Sequence, residues 1–282
     1  MNQSGRSSAR ARPVTTRNAQ FQEWSALLTN RGKRRRSGAF LIQGVRPITM
    51  ADRAGWPLRA LLYPRGSQPS AWARELIGTS RAARFELDPQ LLRELGQQES
   101  ETPEVIAVGE LAADDVARLP VGPDMLVVVF DRPTSPGNLG TLIRAADALG
   151  GSGLITTGHA ADIYDPKCVR ASTGSLFAVP AVRLESTEAT VQWITACRDG
   201  GVPVRVVGLD ESGSVPLAEA TLTGPTVLVV GNEKTGMSAS WREVCDEMVQ
   251  IPIGGTASSL NAASAGTVAL YEAARQRGFP SG

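Results

Sequence analysis

Several residue types and patterns are scarce in this sequence, and each scarcity removes a class of protein. The 282 residues include three cysteines, Cys168, Cys197 and Cys245, which are far apart and odd in number. A disulfide framework or a cysteine-based zinc site is therefore not expected, and a reducing cytoplasm suits the chain best. The single histidine, His159, leaves no set of histidines for a metal ion or a catalytic triad. No run of 18 or more apolar residues occurs, so no membrane span is expected.

The net charge of +1 conceals an uneven distribution of charge along the chain. Residues 1–60 contain 12 Lys and Arg against 2 Asp and Glu, a charge of +10, so the rest of the chain carries −9. Clustering of cations at one end favours contact with a phosphate backbone, although a solvated basic loop would have the same composition. The densest cluster lies in a segment that we expect to be a loop, and consists of Arg31, Lys33, Arg34, Arg35 and Arg36.

Hydrophobic periodicity predicts an α/β chain with two domains. We expect a disordered tail at 1–14, a small α/β domain at 15–112, a polar linker at 113–123 and a larger domain at 124–282. The continuous apolar strands of the larger domain, alternating with helices, predict a mostly parallel sheet. The small domain should have helices at 17–30, 46–55, 71–77 and 89–95 and strands at 39–45 and 58–63. The larger domain should have strands at 125–130, 153–157, 204–208, 226–230 and 248–251 and helices at 139–149, 187–199 and 260–277.

Three loops of the larger domain follow predicted buried strands, which is where α/β proteins bind ligands. They contain the strings DRPTSPGN, VGNEKTGMS and IPIGGTASSLN. In the helix after the first loop, the apolar residues form one stripe and leave Arg144 on the opposite face, towards ligand or solvent. Asn138 at the start of that helix is a candidate cap, as are Ser258 and Ser259 before the last helix. Asn261 follows them, although asparagine weakens a helix at that position.

The second loop nearly matches the phosphate-binding pattern GxxxxGK[ST], through Gly231, Gly236 and Ser238. Met237 stands in place of the lysine that binds the terminal phosphates, and Glu233 would repel phosphate. A nucleotide triphosphatase is therefore not expected, and no GxGxxG dinucleotide fingerprint occurs either. Spacing alone describes an α/β protein with a ligand site built from three loops, together with a basic module.

The three loops resemble, in order, the three signature motifs of the SpoU/TrmH-type RNA ribose methyltransferases of the SPOUT superfamily. The matching strings are DRPTSPGNLGTLIRAADALG, VLVVGNEKTGMS and IPIGGTASSLNAASAGTVALYE. The segment that begins RNAQFQEWSALLTN also resembles the family's amino-terminal RNA-recognition domain, which is similar to a ribosomal protein. The strings DRPTSPGN and YDPKCVRASTGSLF are most similar to members that methylate a uridine ribose of 23S ribosomal RNA and confer resistance to avilamycin.

This resemblance implies an activity, a fold and a set of site residues. The protein would move a methyl group from S-adenosylmethionine to a ribose 2′-hydroxyl of RNA, without a metal or a membrane, as a homodimer. Its larger domain would be a parallel sheet with a deep trefoil knot, a rare exception to unknotted topology. The implied catalytic residues are Asn138, Arg144, Glu233, Ser259 and Asn261. The donor would contact Thr157, Gly158, Gly231, Asn232, Glu233, Ile251, Ile253, Ser259 and Leu260, and RNA would contact Arg31, Lys33, Arg34, Arg35, Arg36 and Arg46.

These residue types suit the methylation of a ribose hydroxyl. A ribose hydroxyl is a very weak acid, and the guanidinium of Arg144 can stabilise the developing alkoxide. Asn138 and Asn261 would orient the ribose or the donor, and Glu233 would hold Asn138 or Arg144 in place. Two alternatives stay open: transfer RNA as the substrate, and an RNA-binding protein that keeps the fold without catalysis.

Overall fold

The computed structural model describes residues 11–97 and 101–279. The chain forms two compact units, Met1–Leu111 with Tyr164–Pro166, and Ala112–Ile163 with Lys167–Gly282. Of the tail expected at 1–14, residues 1–10 lie outside the described residues, whereas Arg12–Val14 form a strand. None of the helices in the described ranges is long and apolar enough to cross a membrane.

The first unit is built on a mixed sheet, which has five strands among the residues described. The strands are β1 (Arg12–Val14), β2 (Ala39–Gln43), β3 (Leu58–Pro64), β4 (Ala83–Leu87) and β5 (Ile106–Glu110), in the order β1-β4-β3-β5-β2. β1, β4 and β3 are parallel, whereas β5 is antiparallel to both β3 and β2. The helices are α1 (Ala19–Thr29), α2 (Arg31–Ser37), α3 (Val45–Arg53), α4 (Ala71–Thr79) and α5 (Pro89–Gly96).

Helix α1 packs on the sheet through the stripe that its sequence predicted. It begins at Asn18, whose side chain accepts a hydrogen bond from the backbone N–H of Phe21 at 3.0 Å. Trp24 meets the ring of Phe85 edge-on, with 4.9 Å between the ring centroids. Burial of such side chains contributes about 1.5–3 kcal/mol each, which anchors α1 to the sheet. The buried residues of α1 are Phe21, Trp24, Leu27 and Leu28.

The basic segment that was predicted as a loop is helix α2, and one of its arginines points inward. Asn30 caps its first turn, and Gly38 ends it in the left-handed region with φ of 61°. Arg34 is only 2% exposed. Its guanidinium donates to the carbonyl oxygen of Leu27 at 2.7 Å, at the end of α1, and pairs with Asp165 at 3.6 Å. The prediction of a loop was wrong because it rested on charge composition, which shows neither the helix caps nor that Arg34 is buried.

The second unit is built on a parallel sheet, which has seven strands in the part of the chain that is described. The strands are β6 (Leu126–Asp131), β7 (Gly153–Thr157), β8 (Ala181–Leu184), β9 (Arg205–Leu209), β10 (Val215–Pro216), β11 (Thr226–Val230) and β12 (Glu247–Gln250), in the order β10-β12-β9-β11-β6-β7-β8. The helices are α6 (Pro136–Ala148), α7 (Pro166–Ser172), α8 (Thr187–Asp199), α9 (Ala239–Val244) and α10 (Ala262–Arg277).

The strand order of this sheet positions the site. β12, β9 and β11 are neighbours and run parallel, so their carboxyl ends lie at one edge of the sheet. The predictions of strands at 153–157 and 226–230 and of a helix at 187–199 are confirmed at both ends. The short strands β8 and β10 were not predicted. The trefoil knot concerns how the chain is threaded and stays a prediction.

Candidate active site

A cavity of about 330 Å³ opens at the carboxyl ends of the neighbouring strands β9, β11 and β12. Its volume lies within the range of small-molecule sites, which starts at about 300 Å³. Each of the three strands contributes the loop that follows it, and α10 closes one side through Ala262 and Ala265. Three loops from three strands therefore meet, as expected; two of them, after β11 and β12, are loops named from the sequence, and the third, after β9, was not named.

Most of the residues expected to contact a donor line this cavity, and two do not. Thr157 is the last residue of β7 and Gly158 follows it, and β7 is separated from β11 by β6. The buried hydroxyl of Thr157 donates to the carboxylate of Asp131 at 3.1 Å, so it is used inside the protein. Neither residue lines the cavity, and their contact with the donor stays a prediction. The expected donor residues that do line the cavity are Gly231, Asn232, Glu233, Ile251, Ile253, Ser259 and Leu260.

The contribution of the loop after β9 was not predicted from the sequence. Leu209, Asp210 and Glu211 line the cavity. The available signal was a buried strand that runs straight into acidic residues, in the string VVGLDE. The sequence alone could not distinguish this loop from other strand-end loops, because it reaches the cavity only through the position of β9 between β12 and β11 in the sheet.

The loop after β11 folds tightly on itself. Asn232 and Gly236 form an antiparallel bridge with two backbone hydrogen bonds of 3.0 Å, and the Asn232 side chain accepts from two further amides of the turn. A Cβ atom on Gly231 would collide with the backbone nitrogen of Met237, so only glycine fits there. Met237 is itself buried, where a phosphate-binding loop would present its lysine. This placement agrees with the exclusion of a nucleotide triphosphatase.

A buried carboxylate at the end of β6 ties the loops together. Asp131 is 2% exposed and accepts hydrogen bonds from the hydroxyl of Thr157 and from the backbone N–H of Ser238, the latter at 2.9 Å. It also pairs with Arg132 at 3.0 Å. Arg132 adopts a φ of 48°, and its carbonyl oxygen accepts from the Asn232 side chain at 2.6 Å. Asp131 was not predicted as a site residue from the sequence, because its partners Thr157 and Ser238 lie far from it in the chain.

Three of the five expected catalytic residues form a hydrogen-bonded series, which we call the amide relay: Asn261, Asn138 and Glu233. The Oδ1 atom of Asn261 accepts from the backbone N–H groups of Ala263 and Ser264, at 3.0 and 3.2 Å. Its Nδ2 atom donates to Oδ1 of Asn138 at 3.3 Å. Nδ2 of Asn138 in turn donates to Oε1 of Glu233 at 3.1 Å. Each amide is thereby held in one orientation.

The two helices of the relay are capped differently from the sequence prediction. Ser135, not Asn138, caps α6 by accepting from the backbone N–H of Asn138 at 3.3 Å. Asn261, not Ser258 or Ser259, caps α10. These caps account for the hydrogen bonds of the amide relay. Because Ser135 caps α6, the side chain of Asn138 is available to Glu233. Because the oxygen of Asn261 caps α10, its nitrogen points away from the helix, towards Asn138.

Glu233 is the charged end of the relay. Its carboxylate accepts from the backbone N–H groups of Thr134 and Ser135, at 3.0 and 3.3 Å. Partial burial opposes ionisation, but these hydrogen bonds, the one from Asn138 and that of its own backbone outweigh it and hold the pKa of the Glu233 carboxyl below its ordinary value. Glu233 is therefore charged at neutral pH and attracts the nitrogen side of the Asn138 amide.

Arg144 and Ser259 complete the expected catalytic set. Arg144 is exposed on α6, about 9 Å along the helix axis from Asn138. Within the described part of the chain, its side chain has no hydrogen bond or ion pair. It does not line the cavity, whereas Ser259 does. The described residues include no group of three or more His, Cys, Asp and Glu arranged to hold a metal ion.

Five of the six cations expected to contact RNA reach the surface of the first unit. Arg34 is the exception, because it is buried at the end of α1 and is paired with Asp165. Its placement makes it a structural residue of α2 and removes it from the expected RNA surface. The remaining cations are half-buried or exposed: Arg31, Lys33, Arg35, Arg36 and Arg46.

Comparison with known proteins covers both units. Residues 18–107 match the SpoU L30e-like domain, and residues 125–271 match the SpoU rRNA methylase family. A 23S rRNA (uridine(2479)-2′-O)-methyltransferase of Streptomyces viridochromogenes is 55% identical over 267 residues, which cover 95% of this chain and 93% of that protein.

Two solved structures extend the likeness to three dimensions. The SpoU methyltransferase AviRb of Streptomyces viridochromogenes, in complex with AdoMet, matches with a TM-score of 0.90 and 55% identity, over 93% of this chain and 98% of that chain. An AdoMet-bound rRNA methyltransferase of Sinorhizobium meliloti matches with a TM-score of 0.82 and 29% identity, over 94% and 98% of the two chains. With a family model that spans more than half of its length and relatives that match almost all of it, the chain belongs to the SpoU rRNA methylase family.

Proposed function

We propose that the protein transfers a methyl group from S-adenosylmethionine to the 2′-hydroxyl of a uridine ribose in 23S ribosomal RNA. The observation that carries the proposal is the amide relay at the edge of a ligand-sized cavity formed by three strand-end loops. The choice of substrate is supported by the relative that is 55% identical and is named for this reaction. A cytoplasmic location, and resistance to a ribosome-targeting drug such as avilamycin, are further parts of the proposal.

The cavity has the chemical character that S-adenosylmethionine requires. Ile253 and Leu260 are 38% and 42% exposed, so they offer apolar surface to the adenine ring. Residues 251–261 form no regular secondary structure, which leaves their backbone groups available for hydrogen bonds to the donor. Glu211 adds a negative charge opposite a ligand that carries positive charge. The bound donor supplies an already activated methyl group, so the reaction needs no metal ion.

The residues of this chain would then handle the ribose. The amide relay presents Asn138 in a fixed orientation, with one nitrogen hydrogen and one oxygen lone pair still free to position a hydroxyl. Arg144 stabilises the negative charge that grows on the 2′-oxygen, because a guanidinium remains charged at any physiological pH. Removal of the guanidinium should therefore abolish transfer without weakening donor binding.

The test of this role uses Arg144→Ala and Arg144→Lys. We expect both variants to bind S-adenosylmethionine as the unchanged protein does, since Arg144 does not line the cavity. Transfer by Arg144→Ala should fall by two orders of magnitude or more, as for the loss of a preorganised charge in other active sites. The lysine variant should recover part of that loss, because it restores charge without the planar fork. Near-normal turnover in the alanine variant would remove Arg144 from the mechanism.

The cations of α2 should bind the RNA backbone. Arg35→Ala with Arg36→Ala removes two exposed charges, so RNA affinity should weaken and the salt dependence of binding should become less steep. Donor binding should not change. The matched control is Arg34→Ala, which should instead lower the melting temperature. It removes the buried guanidinium that donates to the carbonyl oxygen of Leu27 at the end of α1. An equal loss of RNA and donor binding in the double variant would contradict this division of labour.

A homodimer is part of the proposal. Val268 and Tyr271 lie on α10 with 39% and 52% of their surface exposed, and the ring of Tyr271 contacts the exposed Phe279 at a tilt, with 5.4 Å between the ring centroids. Such an apolar surface favours burial against a second copy. We expect Tyr271→Glu to convert a dimer into a monomer in sedimentation analysis. A monomeric unchanged protein with full activity would refute this part.

The experiment that tests the reaction measures transfer of tritium from labelled S-adenosylmethionine to purified 23S RNA, 16S RNA and transfer RNA. The modified ribose is located by its resistance to alkaline cleavage. Label on one uridine ribose of 23S RNA is the expected result. Label on transfer RNA would keep the chemistry and overturn the substrate, and donor binding without transfer to any RNA would favour a non-catalytic RNA-binding protein.

A further inference from the structure

A second pocket, of about 260 Å³, lies in the first unit, between α1, α2 and one face of the sheet. Its floor includes three alanines on strands of the same sheet, Ala39 on β2, Ala60 on β3 and Ala83 on β4, with Val108 of β5 between β2 and β3. Larger side chains on these strands would fill this space, as leucine, isoleucine and phenylalanine do elsewhere in the unit. The pocket therefore exists because three strands carry methyl side chains at the same end of the sheet.

The walls of the pocket are apolar and partly aromatic. Trp24 and Leu27 of α1 form one side, and Phe85 of β4 forms another. Trp24 and Phe85 contact each other edge-on, so their positions are fixed before any ligand arrives. A pocket of this size is smaller than the roughly 300–1,000 Å³ of sites for drug-sized molecules, and suits a single planar ring system.

The rim of the pocket is polar and offers both signs of charge. Lys33 of α2 is half-buried at the rim, and its ammonium group has no hydrogen bond or ion pair within the described residues. Glu23 of α1 lines the same pocket and is exposed. Arg59 is already committed, because it donates to Glu110 and to the carbonyl oxygen of Ser37. The rim thus has a free donor and an acceptor above an apolar interior.

We propose that this pocket takes up one unstacked base of the RNA substrate, other than the base of the methylated nucleotide. The proposal rests on the proposed function, since it supposes an RNA substrate. A nucleobase is a planar aromatic ring with hydrogen-bond donors and acceptors along its edge, which matches an apolar interior with a polar rim. The exposed Arg35 and Arg36 on α2 would hold the flanking phosphates, so one helix serves both the base and the backbone.

The test fills the pocket from an exposed strand position. Ala83 lines the pocket and is exposed, so Ala83→Leu occupies the pocket without adding volume to the buried core. The matched control is Ala54→Leu, the same change at an exposed residue that does not line the pocket. We expect Ala83→Leu to raise the KM for 23S RNA and the dissociation constant of the RNA about 10-fold, as loss of one stacked base would. Its kcat, its donor affinity and its melting temperature should equal those of the unchanged protein.

The dependence of affinity on salt separates a base from a phosphate in this pocket. Ala83→Leu should weaken binding equally at all salt concentrations, because a base carries no charge. If Lys33 contacts an adjacent phosphate, Lys33→Ala should also reduce the slope of log affinity against log salt concentration by about one. A folded Ala83→Leu variant with a normal KM would overturn the proposal, as would a loss of affinity that appears only as a changed salt slope.

Two further results keep the inference separate from the function on which it rests. If Ala83→Leu melts at a lower temperature, Ala83→Met fills the same space with a flexible side chain and must give the same rise in KM. If the unchanged protein neither binds nor methylates RNA, both the proposed function and the pocket fail together. Failure of the pocket alone appears only in the variants, with normal transfer by the unchanged protein.

Discussion

Asn261 has two roles that substitutions can separate, because its oxygen caps α10 and its nitrogen holds Asn138. Asn261→Ala removes both. Loss of an asparagine cap costs about 1 kcal/mol, within a range of roughly 0.5–2 kcal/mol. For a unit of this size, that loss lowers the melting temperature by about 2–4 °C. Transfer should fall only a few-fold, because Glu233 still holds the other end of the Asn138 amide.

Asn261→Asp keeps the cap and breaks the relay. The carboxylate accepts from the first amides of α10 as the amide oxygen does, and its negative charge at a helix N-terminus adds about 0.3–1 kcal/mol. It cannot donate to Oδ1 of Asn138, however, so two oxygens face each other. Rotation of the Asn138 amide would relieve that contact only by turning its oxygen towards the charged Glu233. Since either arrangement loses a hydrogen bond next to a charge, transfer should fall about tenfold or more.

The two variants should therefore rank in opposite orders for stability and for activity. Thermal unfolding should place Asn261→Asp above Asn261→Ala, because only the aspartate keeps the cap of α10. Initial rates of tritium transfer at saturating donor should place Asn261→Asp below Asn261→Ala. Asn261→Ser, which caps without charge and cannot reach as far, should be stable and moderately active. If the rates of all three variants simply follow their melting temperatures, the relay has no role in orienting Asn138.

Three further predictions follow from individual residues. Hydrogen bonds hold the pKa of Glu233 below its ordinary value, so the stability that it contributes is complete above the unfolded pKa of about 4.3 and is lost as the pH falls through the folded pKa; Glu233→Gln should flatten the acid limb of the unfolding curve. Gly140→Ala should destabilise the protein by about 1–3 kcal/mol in urea unfolding, because its Cβ atom would press on the backbone of α7, 3.0 Å from the nitrogen of Ser172; an unchanged midpoint would contradict this packing. Cys245 is half-buried, and burial, reinforced by a neighbouring carboxylate, raises the pKa of its thiol to about 12, so a thiol reagent at pH 8 should label it much more slowly in the native protein than after unfolding; equal labelling rates would refute the raised pKa.

The sequence by itself determined the local elements and the residue types of the site. Strands at 153–157 and 226–230 were readable because a strand buried on both faces is a continuous apolar run, and α8 was readable from its helical period. The order of the three motifs indicated the family and named Asn138, Glu233 and Asn261 before any geometry was known. The sequence could not show that these three side chains bond to one another, because they lie about a hundred residues apart in the chain.

Tertiary structure decided which loops share a cavity and which charged groups are free to act. Strand order is not sequence order, so the sheet brings Asp210, after β9, to the cavity and leaves Thr157, at the end of β7, outside it. Burial likewise separated Arg34 from the otherwise similar Arg35, since a guanidinium can satisfy helix carbonyls in one position and face solvent in the next. The physical reason is the same in both cases: periodicity reports which face of an element is buried, whereas neighbours in space depend on how all the elements pack together.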